Sequence, residues 1–522
     1  MAFFETNWSV LFLRLSAFFI ALCLSFLFTS ALYNIYFHPL SKFPGPRLAA
    51  ATRIPYLLAL LQGRPSQWTK DLHDYYDSEV VRISPEELSF IDQSAWNDIL
   101  VRRHGQPSFL KDLGVYRNDV NSLLTANDTD HSRQRRILAH AFSDKALRMQ
   151  EHLIMSYVDT LIKELNTSID SPTRGKVDLV AWFRWLTFDI VSDLSFGEHL
   201  NSLRSTRYHY WVSLISGSPK IFVYTSAIRR IPVLSKLLPY IITKKMKQGR
   251  KYHTDMISRK IEQRMNSNTQ QPDFLSYTMK YNDEKGMTMA EIKENAALFI
   301  GAGSESTSTV LAGAAYYLLE NSAVHEKLVN EIRQFFKTDE EITQQSVLLL
   351  PYLSAVLTET KRIYPPSQAG HPRRVPVGGA NVSGRWIPGG VNIFPTFYQL
   401  GYMTDSGQTG VTINQWACNR SARNFREPDK FIPERWLDDP RFSSDQKGAY
   451  QPYSVGSGNC IGKNLALAEM RLTLAKFIWH FDLHRVDETN RTWSDQKVFL
   501  RPQKTPLIVQ LTKRVHETEK AT

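Results

Sequence analysis

Cysteine is scarce in this chain: Cys23, Cys418 and Cys460 are the three thiols in 522 residues. Three thiols cannot build a disulfide framework, and Cys23 lies inside an apolar segment. A stapled secreted scaffold is therefore excluded, and a reducing, cytosol-facing setting fits. Internal repeats and low-complexity tracts are also lacking. Acidic residues are in the minority, 51 against 63 Lys and Arg, giving a net charge of +12 and a pI near 9.3. No nucleic-acid motif accompanies that excess, so nucleic acid is not an expected partner. The expected outlets are an anionic membrane surface and an acidic protein, with a dispersed solvated basic surface as the plain alternative.

Charge is missing altogether from Leu15 to Phe37, a stretch rich in Leu, Phe and Ala. It is long enough to cross a bilayer as a helix, and longer than the apolar region of a usual cleaved signal. Lys42, Arg47 and Arg53 after it outnumber Arg14 before it, which places the bulk of the chain on the cytosolic side. The organisation expected is an anchor over 1–37, a proline-rich hinge over 38–48 around Phe43-Pro-Gly-Pro46, a catalytic body over 49–512 and a charged tail over 513–522. The hydrophobic share, 43%, supports a sizeable core. A second apolar stretch, Ile231–Ile242, precedes Lys244, Lys245, Lys247, Arg250 and Lys251. It reads as a further membrane contact or as a core helix with a solvated end.

Helical patterns dominate up to Arg362, with short strand-like pieces near Val80–Ile83, Val375–Trp386 and Leu507–Leu511. The fold class is mainly α with small β-sheets. Thr288 and Glu291 form a capping box that opens a long helix to about Leu319. Gly301 and Gly303 lie inside it, each costing about 1 kcal/mol relative to Ala. Such a cost points to a close approach by something flat, or to packing of small residues against another helix.

The chemistry gathers at Cys460. The stretch Gln451-Pro-Tyr453-Ser-Val-Gly456-Ser-Gly458-Asn-Cys460-Ile-Gly462 is a Gly-rich loop, and Ile461, Leu465, Ala468 and Leu472 then recur at helical spacing. A cysteine at a helix N-terminus meets the positive end of the dipole, which favours thiolate. A thiolate under a flat ligand suits axial ligation of haem iron. Glu359 and Arg362 sit three apart on a helix and can pair.

These residues resemble the signatures of the cytochrome P-450 family. The loop is similar to the family's aromatic, Gly-x-Arg-x-Cys-x-Gly pattern at Tyr453, Gly456, Cys460 and Gly462, with Gly458 where the arginine is usual. Glu359-Thr-Lys-Arg362 resembles its E-x-x-R motif, Phe431-Ile-Pro-Glu-Arg435-Trp its F-x-P-E-R-W segment, and Ala302-Gly-Ser-Glu305-Ser306-Thr307 its oxygen-activating stretch. The resemblance spans about residues 33 to 512. It implies the haem-thiolate fold, haem b with Cys460 as the iron ligand, and insertion of one atom of O2 into a small apolar substrate. Electrons are expected from NADPH through NADPH–cytochrome P-450 reductase, with a cytochrome b-type protein as a second donor. The location implied is the endoplasmic reticulum membrane, single-pass, with membrane lipid as a further partner.

Residue by residue, the resemblance gives Glu305, Ser306 and Thr307 the proton path, and Glu359, Arg362 and Arg435 a buried network that holds the cysteine loop. It gives His131, Arg135 and Arg373 the haem carboxylates, with Arg136 and Arg374 facing solvent or a partner. Phe109, Phe299, Ala302 and the segment after Pro366 are the pocket candidates. Tyr33–Pro46 and Phe188–Gly197 resemble fungal microsomal members that hydroxylate secondary metabolites. A haem-thiolate isomerase or dehydratase, and a non-catalytic haem-binding product, are the rival classes. Residues 391–408 depart from the family pattern. Without them Ile-Pro-Gly-Gly390 runs straight into Thr409-Gly-Val. They read as a retained intron translated in frame, or as a genuine surface insertion.

Overall fold

The computed structural model describes residues 8–103, 105–112, 115, 122–206, 210–267, 271–390, 408–486 and 492–514. The expected segment 391–408 thus lies outside the described residues except for Gln408, as does the tail after Arg514.

The anchor helix, Trp8–Tyr36, begins seven residues before the charge-free run. Its 29 residues rise about 43 Å at 1.5 Å each, more than a hydrocarbon core needs. None of its apolar window is buried by the rest of the protein. The hinge then docks rather than dangles. Arg82 N donates to Pro44 O at 2.7 Å, and a Cβ on Gly45 would sit 2.4 Å from Arg82 O. The Arg82 side chain donates to Asn34 O at 2.9 Å, capping the end of the anchor, which has no basic residue of its own.

The central helix, Met289–Glu320, opens on the expected capping box at Thr288 and Glu291. It packs against the helix Leu179–Phe196, which is buried on nearly every face. Gly303 explains how they fit: a Cβ there would meet Val191 Cγ2 at 2.8 Å. Gly303 is therefore a packing glycine. Gly301 differs, because its nearest such neighbour is Ile215 Cγ2 at 3.9 Å.

A five-stranded sheet closes the other side, in the order Val80–Ser84, Glu87–Phe90, Gly410–Ile413, Arg373–Arg374, Leu110–Lys111. Its last pairing sets Lys111 opposite Arg373. Among the described residues the two larger cores lie among the helices and between this sheet and the cysteine loop, with a small third around Leu72, Val81 and Ile83. The helix Pro232–Ile241 settles the second apolar stretch. Leu234, Leu237, Tyr240 and Ile241 are all exposed, so it is not a core helix.

Candidate active site

The cysteine loop is held from both sides. Cys460 N donates to Tyr453 O at 2.8 Å, and the helix Lys463–His480 follows with Gly462 as its N-cap. Gly456 has φ +72°, and a Cβ there would press to 2.6 Å from Leu100 O, so glycine is required. Gly458 meets nothing within 4 Å.

Two cysteines of the body differ sharply. Cys418 is wholly buried, its thiol donates to Ile91 O at 2.9 Å, and burial pushes its pKa up to about 12. It is a satisfied core thiol. Cys460 is exposed by surface area, yet burial is the main pressure on its pKa. Burial raises the Cys460 thiol against the Gly462 amide, Arg135 and Lys463, which all favour thiolate. Desolvation therefore outweighs the expected dipole-driven lowering.

On the Gly458 side of the loop, two residues before the sulfur, lies a cavity of about 290 Å³ whose wall includes Arg102, Phe109, Lys111, His131, Arg373 and Gly458. The cationic wall and the open sulfur fit a flat group carrying two carboxylates. His131 is buried, and burial together with Lys111 and Arg135 holds its pKa at about 4. It can donate a hydrogen bond but brings no charge. Arg135 does not line the cavity. Its guanidinium donates to Asn459 O at 2.5 Å and to Asn459 Oδ1 at 2.7 Å, clamping the loop next to the sulfur. Lys111 and Arg102 take cavity positions that the sequence reading missed; only the strand register with Arg373 brings Lys111 there. Arg374 corrects another expectation. It is 5% exposed and paired with Asp112 at 3.1 Å, facing neither solvent nor partner. Arg136 is exposed and pairs with Asp283 at 3.2 Å.

Glu359, Arg362 and Arg435 come together with no exposed side-chain surface. Glu359 accepts from Arg362 Nη2 at 2.7 Å, Arg435 Nε at 3.1 Å and Trp436 Nε1 at 2.9 Å. Burial alone would raise its carboxyl; Arg362 and Arg435 outweigh that and hold it below its ordinary value. Asp445, at 2.5 Å from Arg435, is a fourth member that spacing could not reveal.

On the central helix the expected trio diverges. Glu305 turns to its neighbours, pairing with Arg184 at 2.9 Å and Lys504 at 3.1 Å and accepting from Ser216 at 2.7 Å. Burial opposes ionisation, but Lys504 and Arg184 hold the carboxyl far below its ordinary value. Ser306 Oγ donates to Ala302 O at 2.6 Å. Thr307 is buried and bonds Glu469, whose pKa burial pushes up to about 8. Glu469 is a further missed group, because it reads as one more polar residue of an amphipathic helix. The Phe299 ring packs on Phe142 and Phe274 at 5.3 and 5.7 Å in the helical core.

The family model for cytochrome P450 matches residues 49–406 and 401–509. The "Cytochrome P450 monooxygenase lcsI" of Purpureocillium lilacinum is 40% identical over 94% of this chain and 93% of its own. The "Cytochrome P450 monooxygenase aclL" of Aspergillus oryzae is 42% identical over 93% of this chain and 96% of its own. The "Averantin hydroxylase" of Dothistroma septosporum is 38% identical over 94% and 90%. A crystal structure of a cytochrome P450DA haem domain superposes with a TM-score of 0.70 at 17% identity, covering 91% of this chain and 98% of that one, which establishes the fold. With the loop, the buried Glu359 network and these relatives in agreement, this chain belongs to the cytochrome P450 family of haem-dependent monooxygenases.

Proposed function

We propose that this chain inserts one oxygen atom from O2 into an apolar intermediate of fungal secondary metabolism, with Cys460 as the haem ligand and NADPH supplying electrons through a partner reductase. The observation that carries the reading is the pairing of an exposed sulfur at Cys460 with a cation-lined cavity whose wall reaches Gly458 of the same loop. A thiolate-bound haem supplies O–O cleavage. The residues of this chain do the rest. Arg373, Lys111 and Arg102 neutralise carboxylates, His131 donates to them, and Arg135 fixes Asn459 and so the direction of the sulfur. Ser306 and Thr307 hold protons at their hydroxyls, and Glu305 keeps a charge nearby that Lys504 and Arg184 restrain.

The anchor helix and the exposed face of Pro232–Ile241, followed by its lysines, support a single-pass microsomal protein touching lipid twice. The segment 391–408 reads as extra to the working protein. Thr409 N donates to Gly389 O at 3.3 Å, so the chain leaves and returns at one point, and the two family-model matches meet within it.

Cys460→Ser and Cys418→Ser test the assignment. The carbon monoxide band of a reduced thiolate-ligated haem is expected to vanish in the first and persist in the second. Loss in the second with retention in the first overturns the reading.

A further inference from the structure

Resting on that reading, we infer that Lys111 stands in for the absent loop arginine: it and Arg373 are the two cations with charge left for the two haem carboxylates, and the substitution Gly458→Arg makes Lys111 dispensable. The count comes from the cavity wall. Of the two arginines expected to serve the carboxylates, Arg373 lines the cavity but Arg135 is spent on Asn459, and the loop's usual arginine is Gly458. Arg102 and Arg103 also line the wall, but Asp128 at 2.5 Å and Asp98 already balance them. Lys111 is the other lining cation, and it has no carboxylate within ion-pair distance among the described residues. Two uncompensated cations thus face a group that carries two carboxylates.

Local geometry holds Lys111 there with a donor to spare. The antiparallel register sets it opposite Arg373. Residues directly opposite share a face, and like charges so placed repel each other. Lys111 Nζ donates to Leu123 O at 3.1 Å and to Ala126 O at 2.8 Å, which aims the amine and occupies two of its three N–H groups. An anion between Lys111 and Arg373 takes the third and relieves the repulsion. Across the chamber, Gly458 lines the same cavity. A Cβ there would meet nothing within 4 Å, and its φ lies outside the left-handed region, so a side chain is admitted without strain. One space is therefore open to a cation from either the strand or the loop.

An amine in place of a guanidinium makes the site titratable. Facing Lys111 are Arg373 from the paired strand, Arg102 from the loop before it, Asp128 and His131 from the helix Asp128–Leu138, and His371 beside Arg373. Burial first, then Arg373, lowers the Lys111 pKa to about 8. Burial holds both imidazoles at about 4, so they are neutral at pH 7 and above. Lys111 is charged below about 8 and sheds its proton above it. A bound carboxylate favours the charged form, so haem retention is expected to be level up to pH 8 and to weaken as pH climbs further.

Haem transfer from the full-length, haem-loaded protein to apomyoglobin is the readout. Lys111→Met is expected to lose haem about tenfold faster than the parent, the scale of one charge-assisted hydrogen bond. Gly458→Arg in that background is expected to restore most of the retention. The rescue cannot remake the bonds to Leu123 O and Ala126 O, so it separates charge on the cavity from pinning of the segment. In the parent, transfer quickens as pH rises past 8; in Lys111→Arg it rises less steeply over the same range. Lys111→Met that holds haem as the parent does, or that Gly458→Arg fails to rescue, overturns the inference. A Lys111→Met protein too weak to keep any haem is judged by the same rescue. The carbon monoxide band of the haem-bound fraction reports the thiolate independently. A normal band beside a failed rescue therefore sinks this inference and leaves the haem-thiolate reading standing.

Discussion

Arg135 and Asn459 form a two-point clamp one residue before the sulfur, Nη1 on the backbone carbonyl at 2.5 Å and Nη2 on the side-chain amide oxygen at 2.7 Å. Gly458 leaves this loop without its usual arginine, and Arg135 braces it from a neighbouring helix, Asp128–Leu138. Arg135→Met is expected to bind haem but release it sooner. Transfer of haem to apomyoglobin should be about tenfold faster than in the unchanged protein, the scale of one charge-assisted hydrogen bond. Equal transfer rates dismiss the clamp.

Glu359 anchors two arginines and an indole without any solvent contact. Glu359→Ala leaves both guanidiniums buried without their acceptor, a loss of about 3–5 kcal/mol. The expected product is expressed protein lacking haem and melting well below the parent. Haem-replete Glu359→Ala with an unchanged thermal midpoint contradicts the network's role.

Glu469 makes stability depend on pH in a predictable direction. Its carboxyl is raised from about 4.5 to about 8 by burial, so the folded state keeps a proton that the unfolded state releases. Its stabilising share is complete below pH 4.5 and fades as pH climbs toward 8. Glu469→Gln cannot ionise, so its thermal midpoint should fall less than the parent's between pH 5 and pH 8. Parallel curves for the two proteins refute the raised carboxyl.

Ser306 and Lys504 bear on the use of electrons. Ser306→Ala removes the hydroxyl on Ala302 O, and Lys504→Met frees Glu305 from one of its two cations. Each is expected to keep the carbon monoxide band while more NADPH is diverted to hydrogen peroxide. Product per NADPH unchanged in both variants removes the proton path assigned to this stretch.

The ends of the extra segment already meet at Gly389 and Thr409. Excision of 391–408 is expected to leave folding and haem binding intact, and most transcripts to lack these codons. A deletion protein without haem, together with full-length transcripts, makes the segment a working part.

Much of this was legible in the chain because some residues announce themselves by local chemistry. The capping box at Thr288 fixed the start of the central helix, and Cys460 stood out through its Gly-rich loop. Glu359 and Arg362 share a helix face, and only their burial needed the structure. Other residues act across long gaps and carry no local signal. Lys504 reaches Glu305, and Asp445 reaches Arg435, only after folding. Gly301 and Gly303 look alike in sequence, but a Cβ on Gly303 would meet Val191 Cγ2 at 2.8 Å, whereas one on Gly301 would make only an ordinary contact with Ile215 Cγ2 at 3.9 Å. Arg374 misled because adjacent arginines on a strand point to opposite faces, and Asp112 lay on the inner one.

Leu100 deserves a last consequence. Its carbonyl leaves no room for a methyl on Gly456, and its own residue also forms part of the cavity wall. Whatever occupies that chamber leans on the same peptide that seats the metal-binding loop. A change at Leu100 is thus felt at once in that chamber and in the loop that carries Cys460.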